Sequence, residues 1–301
     1  MLQQVEVHLT CASRRDAHMW RPLFRTFGFL RSTLQPLSLI IRTDRLLSAF
    51  PLGLRAGEMI MLLHKSATVA DGIHFYLWTG QGINSNAVVL SNVLDGASPH
   101  VLIDPGMTGS EMGERPLDSL AEAMCADGLD MGDVGLVIGT HCHPDHFQAV
   151  DEVVRRTGAN VALSATEYDF LKGPGGAFYG SFGTAAPSVK PAMLLEEGEL
   201  TLGSSNGWRG QVLITPGHSP GSACLYMPDA KVLVSGDVVF PGSIGRMDFI
   251  GGNMGQMKES IRRLSELDIE HILPGHSSVS GPLVSGKDNV VRNFQMVRMF
   301  F

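Results

Sequence analysis

Residues 140 to 146 read Thr-His-Cys-His-Pro-Asp-His. Three imidazoles and one carboxylate fall within six positions, a pattern expected by chance roughly once in a thousand such sequences. Imidazole and carboxylate together are ligands for zinc, and also for iron or manganese. His141 and His143 are two apart in an extended turn, so they face the same side. Asp145 and His146 follow at a helix start, where the backbone turns them elsewhere. The set splits into two pairs, as two adjacent ions require. Cys142, between two same-facing side chains, points away from them. Four titratable side chains in one turn have little use as a purely structural feature.

Three further residues complete a shell. His218 lies in T-P-G-H-S-P-G-S, Asp237 in S-G-D and His276 in L-P-G-H-S. Each stands one step beyond an apolar run. A lone His in such a place is usually incidental, but three such placements behind H-x-H-x-D-H are not. His8, His18, His64, His74, His100 and His271 have no such companions and read as structural or surface residues.

These residues need strands that end together. Apolar strand-like runs recur at His74–Trp78, Ala87–Leu90, Val101–Ile103, Leu136–Ile138, Val161–Leu163, Val212–Ile214, Ala223–Tyr226, Val232–Val234 and His271–Leu273. Helical spacing marks Pro116–Ala126, Asp145–Thr157 and Met254–Leu267, and a last helix from about Lys287 to the end. The T-H-C-H-P-D-H turn therefore leaves the carboxyl end of a buried strand, where α/β proteins build their sites. Two hairpin-rich groups with flanking helices predict sheets sandwiched between helices. The segment Gly173–Gly183 is Gly-rich and lacks a phosphate-loop ending, so it reads as a lid or linker.

The chain of 301 residues carries a formal charge of −7, 44 % hydrophobic and 18 % charged residues. This is a globular composition, which excludes collagen-like, coiled-coil and broadly disordered classes. No apolar run reaches the roughly 18 residues of a membrane helix. The negative balance gives no electrostatic case for nucleic acid. No two of Cys11, Cys125, Cys142 and Cys224 share a C-x-x-C spacing, and no signal-peptide pattern opens the chain, so a reducing, cytoplasmic setting is expected. Charge is unevenly spread. Residues 1–57 hold eight Arg, no Lys and three acids, a balance of +5 against −12 for the rest. Residues 1–58 therefore read as an extension, either disordered, a misplaced start or an organellar presequence. A catalytic domain is expected over 59–301.

With all seven residues in place, the sequence resembles the metallo-β-lactamase superfamily from about residue 72 to 280. Asp104 in L-I-D-P-G matches that family's first motif, and the His141–His146 run, His218, Asp237 and His276 match the other four. The resemblance implies an α/β fold, a four-layer αββα sandwich. It implies one metal on His141, His143 and His218 and a second on Asp145, His146 and His276, with Asp237 bridging and Asp104 orienting an imidazole. Two divalent ions, zinc first and iron or manganese as alternatives, would be the cofactors. Asp145 would also orient the nucleophile. The run S-G-D-V-V-F-P-G-S-I-G-R-M-D-F at 235–249 looks like the glyoxalase II branch, hydrolases of thioesters.

Arg246 and Asp248 fall in its G-R-x-D-F element, as an ion pair near the site or as substrate contacts. Tyr168, Lys172, Phe178 and Tyr179 are the lid candidates. The short stretch after His276 departs from glyoxalase II proper and weakens the case for glutathione. The alternatives are a mononuclear-iron persulfide dioxygenase using His141, His218 and Asp237, and a lactonase or phosphodiesterase on the same ligands. His143, where flavodiiron proteins have Glu, argues against that branch. The expected partner is a small-molecule substrate, with neither nucleic acid nor membrane, and a homodimer is an open expectation.

Overall fold

The computed structural model describes residues 62–204 and 207–301. The extension expected over 1–58 and its boundary at 59 lie outside the described residues, as do Cys11, His8 and His18.

The first sheet runs in chain order: β1 (His64–Ala70), β2 (Ile73–Trp78), β3 (Ala87–Leu90), β4 (His100–Ile103), β5 (Val134–Ile138), β6 (Asn160–Ser164) and β7 (Met193–Leu195). Its first three pairings are antiparallel and its last three parallel. The second sheet uses β8 (Gly198–Leu202), β9 (Trp208–Ile214), β10 (Ala223–Met227), β11 (Val232–Gly236), β14 (His271–Pro274) and β15 (Val284–Ser285), in the order β15-β14-β11-β10-β9-β8. Its β11–β14 pair is parallel. The short strands β12 (Val239–Phe240) and β13 (Ser243–Ile244) form a separate hairpin.

Strand periodicity sorts the apolar residues into three layers of core. Ile73, Phe75, Val101 and Ile103 of the first sheet meet Val212, Leu225, Val232 and Val234 of the second. The opposite face of the first sheet, with Tyr76, Val89, Leu102 and Val137, packs on α1 (Pro116–Ala126) and on α3 (Val150–Thr157) through Leu120, Met124, Val150 and Val153. The opposite face of the second, with Cys224, Leu233 and Ile272, packs on α6 (Met254–Leu264) and α7 (Lys287–Val297) through Met257, Ile261, Phe294 and Val297. Helix, sheet, sheet, helix is the expected four-layer sandwich. Among the described residues, no helix is long and apolar enough to cross a membrane.

Three elements differ from the sequence reading. The helix expected over Asp145–Thr157 is two, α2 (Pro144–Phe147) and α3, because the Ala149 amide donates to the Gly106 carbonyl at 2.8 Å rather than continuing the first helix. The Gly-rich stretch is not a plain loop. It forms α5 (Pro174–Phe178) and a 3₁₀ turn at Tyr179–Phe182, and α4 (Ala165–Leu171) precedes it. The last helix stops at Val297 and gives way to a 3₁₀ turn at Arg298–Phe300.

Candidate metal centre

All seven predicted ligand residues converge at the carboxyl ends of β5, β9, β11 and β14. His141 and His143 follow β5, His218 lies in the β9–β10 loop, Asp237 follows β11, and His276 follows β14. Each strand ends in a turn whose backbone is held by neighbours. The Ser85 amide donates to the Asp145 carbonyl at 2.9 Å and the Asn86 amide to the Gly275 carbonyl at 2.7 Å. Gly275 and Gly245 are needed for space. A Cβ at Gly275 would lie 2.3 Å from an Asp237 carboxylate oxygen, and one at Gly245 would lie 1.8 Å from the Asp237 carbonyl.

The ring nitrogens are sorted by what lies behind them. His146 Nδ1 donates to Asp104 Oδ2 at 2.8 Å. His218 Nδ1 donates to the Arg246 carbonyl at 2.7 Å. The Thr140 hydroxyl donates its one proton to Asp104 Oδ2 at 2.7 Å, so it can only accept from His141 Nδ1, 3.1 Å away. The Nε2 lone pairs of His141, His146 and His218 are thus turned toward one another, the orientation metal ligands require. Asp104 holds His146 directly and His141 through the Thr140 hydroxyl, from a left-handed backbone conformation, φ +53°, that costs a non-Gly residue energy.

The inward atoms fall into three groups whose ligand atoms lie within 4.8 Å of one another: His141, His143 and His218; Asp145, His146 and His276; and His141, His146 and Asp237. Asp237 touches both of the first two, at 3.5 Å from His218 Nε2, 3.1 Å from His146 Nε2 and 3.7 Å from His276 Nε2. His143 Nδ1 and His218 Nε2 approach to 2.8 Å, so a proton or a cation must separate their lone pairs. His141 Nε2 is buried without any hydrogen-bond partner. An orphaned buried nitrogen and two nearly buried carboxylates amid imidazoles fit cations. Nitrogen-rich coordination with carboxylate suits zinc, iron or manganese.

Electrostatics divide the imidazoles. Burial, reinforced by neighbouring rings, holds His141 well below its usual range and His143 at about 3. Burial also opposes charge on His146 and His276, but the carboxylates of Asp237 and its neighbours outweigh it and raise both. Burial disfavours the Asp145 carboxylate, yet His146 and His276 bring it down to about 2.

Other predicted residues fall outside this cluster. Arg246 and Asp248 form a surface ion pair at 2.6 Å, each about two-thirds exposed, with Arg246 at the rim of the cleft. Tyr179 is corrected: its side chain is fully buried, and its hydroxyl donates to the Cys142 carbonyl at 2.7 Å, so it props the ligand turn and cannot reach substrate. Tyr168 and Lys172 line a different cleft with Ala186 and Val189. Of the lid candidates only Phe178 faces the site.

Glu167 was missed by sequence reasoning. It is fully buried at the start of α4 and accepts from the Cys142 amide at 2.9 Å, the Ser219 hydroxyl at 2.9 Å and the Gly221 amide at 2.8 Å. One carboxylate thereby ties the His141–His143 turn to the His218 loop. Its only sequence signal is Ser164, three residues earlier, which caps α4 by accepting from the Glu167 amide at 3.1 Å.

Comparison with known proteins agrees with this geometry. The sequence profile of the metallo-beta-lactamase superfamily matches residues 82–276. The chain is 35 % identical over 161 residues to the probable metallo-hydrolase YqgX of Bacillus subtilis, covering 52 % of this chain and 75 % of that protein. It is 33 % identical over 164 residues to the acyl-coenzyme A thioesterase MBLAC2 of Gallus gallus, covering 48 % of this chain and 57 % of that one. Among solved structures, TTHA1623 in a di-iron-bound form superposes with a TM-score of 0.55 at 30 % identity, over 71 % of this chain and 96 % of that one. A matched profile that spans every predicted ligand, on a four-layer sandwich that gathers them, shows that the chain belongs to the metallo-beta-lactamase superfamily.

Proposed function

We propose that the protein is a binuclear metal-dependent hydrolase of thioesters, related to the glyoxalase II branch. One observation carries the reading: three inward-facing ligand groups share members, with Asp237 between the other two, as a pair of neighbouring ions requires. His141, His143 and His218 would hold the first ion and Asp145, His146 and His276 the second, with Asp237 shared between them. Bound ions at such a site supply an activated water, whose pKa falls to about 7, and a Lewis acid for the developing oxyanion. The chain's own residues do the rest. Asp104 and Thr140 fix the tautomers of His146 and His141, Asp145 would orient the attacking water, and the apolar side chains of the cleft would limit access of bulk water. The similarity to an acyl-coenzyme A thioesterase, 33 % identical over 164 residues, supports thioesters over other acyl substrates.

A panel of thioesters tested on metal-replete protein is the direct check. Hydrolysis to free thiol, detected with a chromogenic thiol reagent, is the expected result. Oxygen uptake on glutathione persulfide with one iron per chain, and no thiol release, would transfer the assignment to a dioxygenase.

A further inference from the structure

We propose that the cleft beside the ligand cluster is a subsite for a short apolar acyl chain, with the thiol carrier left outside. The inference rests on the thioesterase reading and adds the substrate's acyl class. The cleft holds about 260 Å³. Apart from the ligand residues it is lined by Ile83, Phe178, Phe182, Phe240, Phe249 and Arg246. Three phenylalanines form one wall. Phe178 meets Phe182 at 5.6 Å and Phe249 at 5.2 Å, ring centre to ring centre. The wall begins at the metal ligands, since Phe178 stands 5.4 Å and Phe249 6.0 Å from the His143 ring. Phe240 faces His276 from the other side at 6.1 Å. A scissile carbonyl placed on the cluster therefore has aromatic surface as its immediate neighbour.

The charges around the cleft exclude the carrier. Glutathione and coenzyme A are anionic and need cationic partners. Arg246 is the one Lys or Arg lining the cleft among the described residues. It is committed twice: its guanidinium makes two hydrogen bonds to Asp248, at 2.9 and 2.6 Å, and lies 4.2 Å from the Phe249 ring centre. An apolar wall with no free cation selects the acyl side and leaves the carrier in solvent. The volume lies just below the roughly 300–1,000 Å³ of drug-sized sites, a size matched to a short acyl chain.

Hydrolysis is measured on acetyl, butanoyl, hexanoyl and palmitoyl thioesters of N-acetylcysteamine, and on hexanoyl thioesters of glutathione and coenzyme A. The ratio of kcat/KM for hexanoyl over acetyl, taken within one preparation, is independent of metal loading and of the folded fraction. A fully buried methylene is worth about fourfold, so burial of even two of the four that separate hexanoyl from acetyl gives a preference above about tenfold. Carrier exchange is expected to matter far less than chain length. Phe249→Ala and Phe178→Ala should flatten the ratio. Calorimetry gives an activity-independent reading: the uncleavable S-hexyl thioether should bind more tightly than S-ethyl to wild type, loaded or stripped of metal, and lose that advantage in Phe249→Ala. Equal rates on acetyl and hexanoyl, dominance of the carrier, or wild-type ratios in both Phe variants would overturn the subsite. Preferential binding of the hexyl thioether without cleavage of any thioester would keep the subsite and remove the thioesterase reading.

Discussion

Asp104 and Thr140 decide which nitrogen His146 and His141 present, and Glu167 ties two loops of the cluster together. The seven candidate ligands could be picked out of the sequence because metal chemistry needs particular residue types at particular spacings, and the fold gathers them. Of their supports, Asp104 was legible through its motif, while Thr140 and Glu167 were not, because a carboxylate such as Glu167 acts through partners 25 to 54 positions away in sequence. Replacing it tests this. In Glu167→Gln the amide must turn its NH₂ toward the Cys142 amide on one side or the Gly221 amide on the other, and leaves a buried donor unpaired. A loss of about 1–3 kcal/mol in unfolding free energy is expected. Metal affinity should fall about 10- to 100-fold, read by competition with a chromophoric chelator. Asp237→Ala should empty both ion positions on metal analysis, and a variant that keeps two ions would remove Asp237 from the bridge.

Strand ends are the elements that make the centre. β5, β11 and β14 were visible as apolar runs, and so was the turn after each. Less visible were β1, the edge strand, with its mostly exposed pattern, and α4 and α5, whose short glycine-bearing sequences carry little periodicity. The break between α2 and α3 is set by the loop at Gly106, a contact that local sequence does not encode. β1 also carries a pH-dependent attachment. His64 is buried against Trp78, and its Nδ1 lies 3.2 Å from Ser119 Oγ on α1. Burial lowers its pKa from 6.5 to about 4. The neutral form is the one the fold accepts, so its contribution is intact above the unfolded value and lost as pH falls from 6.5 toward 4. The full loss is about 3 kcal/mol. Urea midpoints for wild type should fall over that window more steeply than those for His64→Gln. Parallel profiles would remove His64 from the account.

At the scale of the whole molecule, the acidic balance of the chain has a local counterpart. Asp104, Asp145 and Asp237 gather at one end of the sandwich, where their charges call for cations rather than for more hydrogen bonds. Sheets between helices followed from two groups of strands with helical neighbours and the four layers from the family resemblance, and the parallel pairs β4–β5 and β11–β14 set the shared rim where Asp104, the Asp145 turn, Asp237 and His276 stand. The basic segment 1–57 lies outside the described residues. The central claim is that two ions, held by seven residues, work as one centre. Titration of metal-stripped protein, with bound metal and thioester hydrolysis followed on the same samples, tests it most directly. The account predicts saturation at two equivalents per chain, with hydrolysis reaching its plateau only as the second is bound. Saturation at one equivalent, with hydrolysis complete at that point, would contradict it.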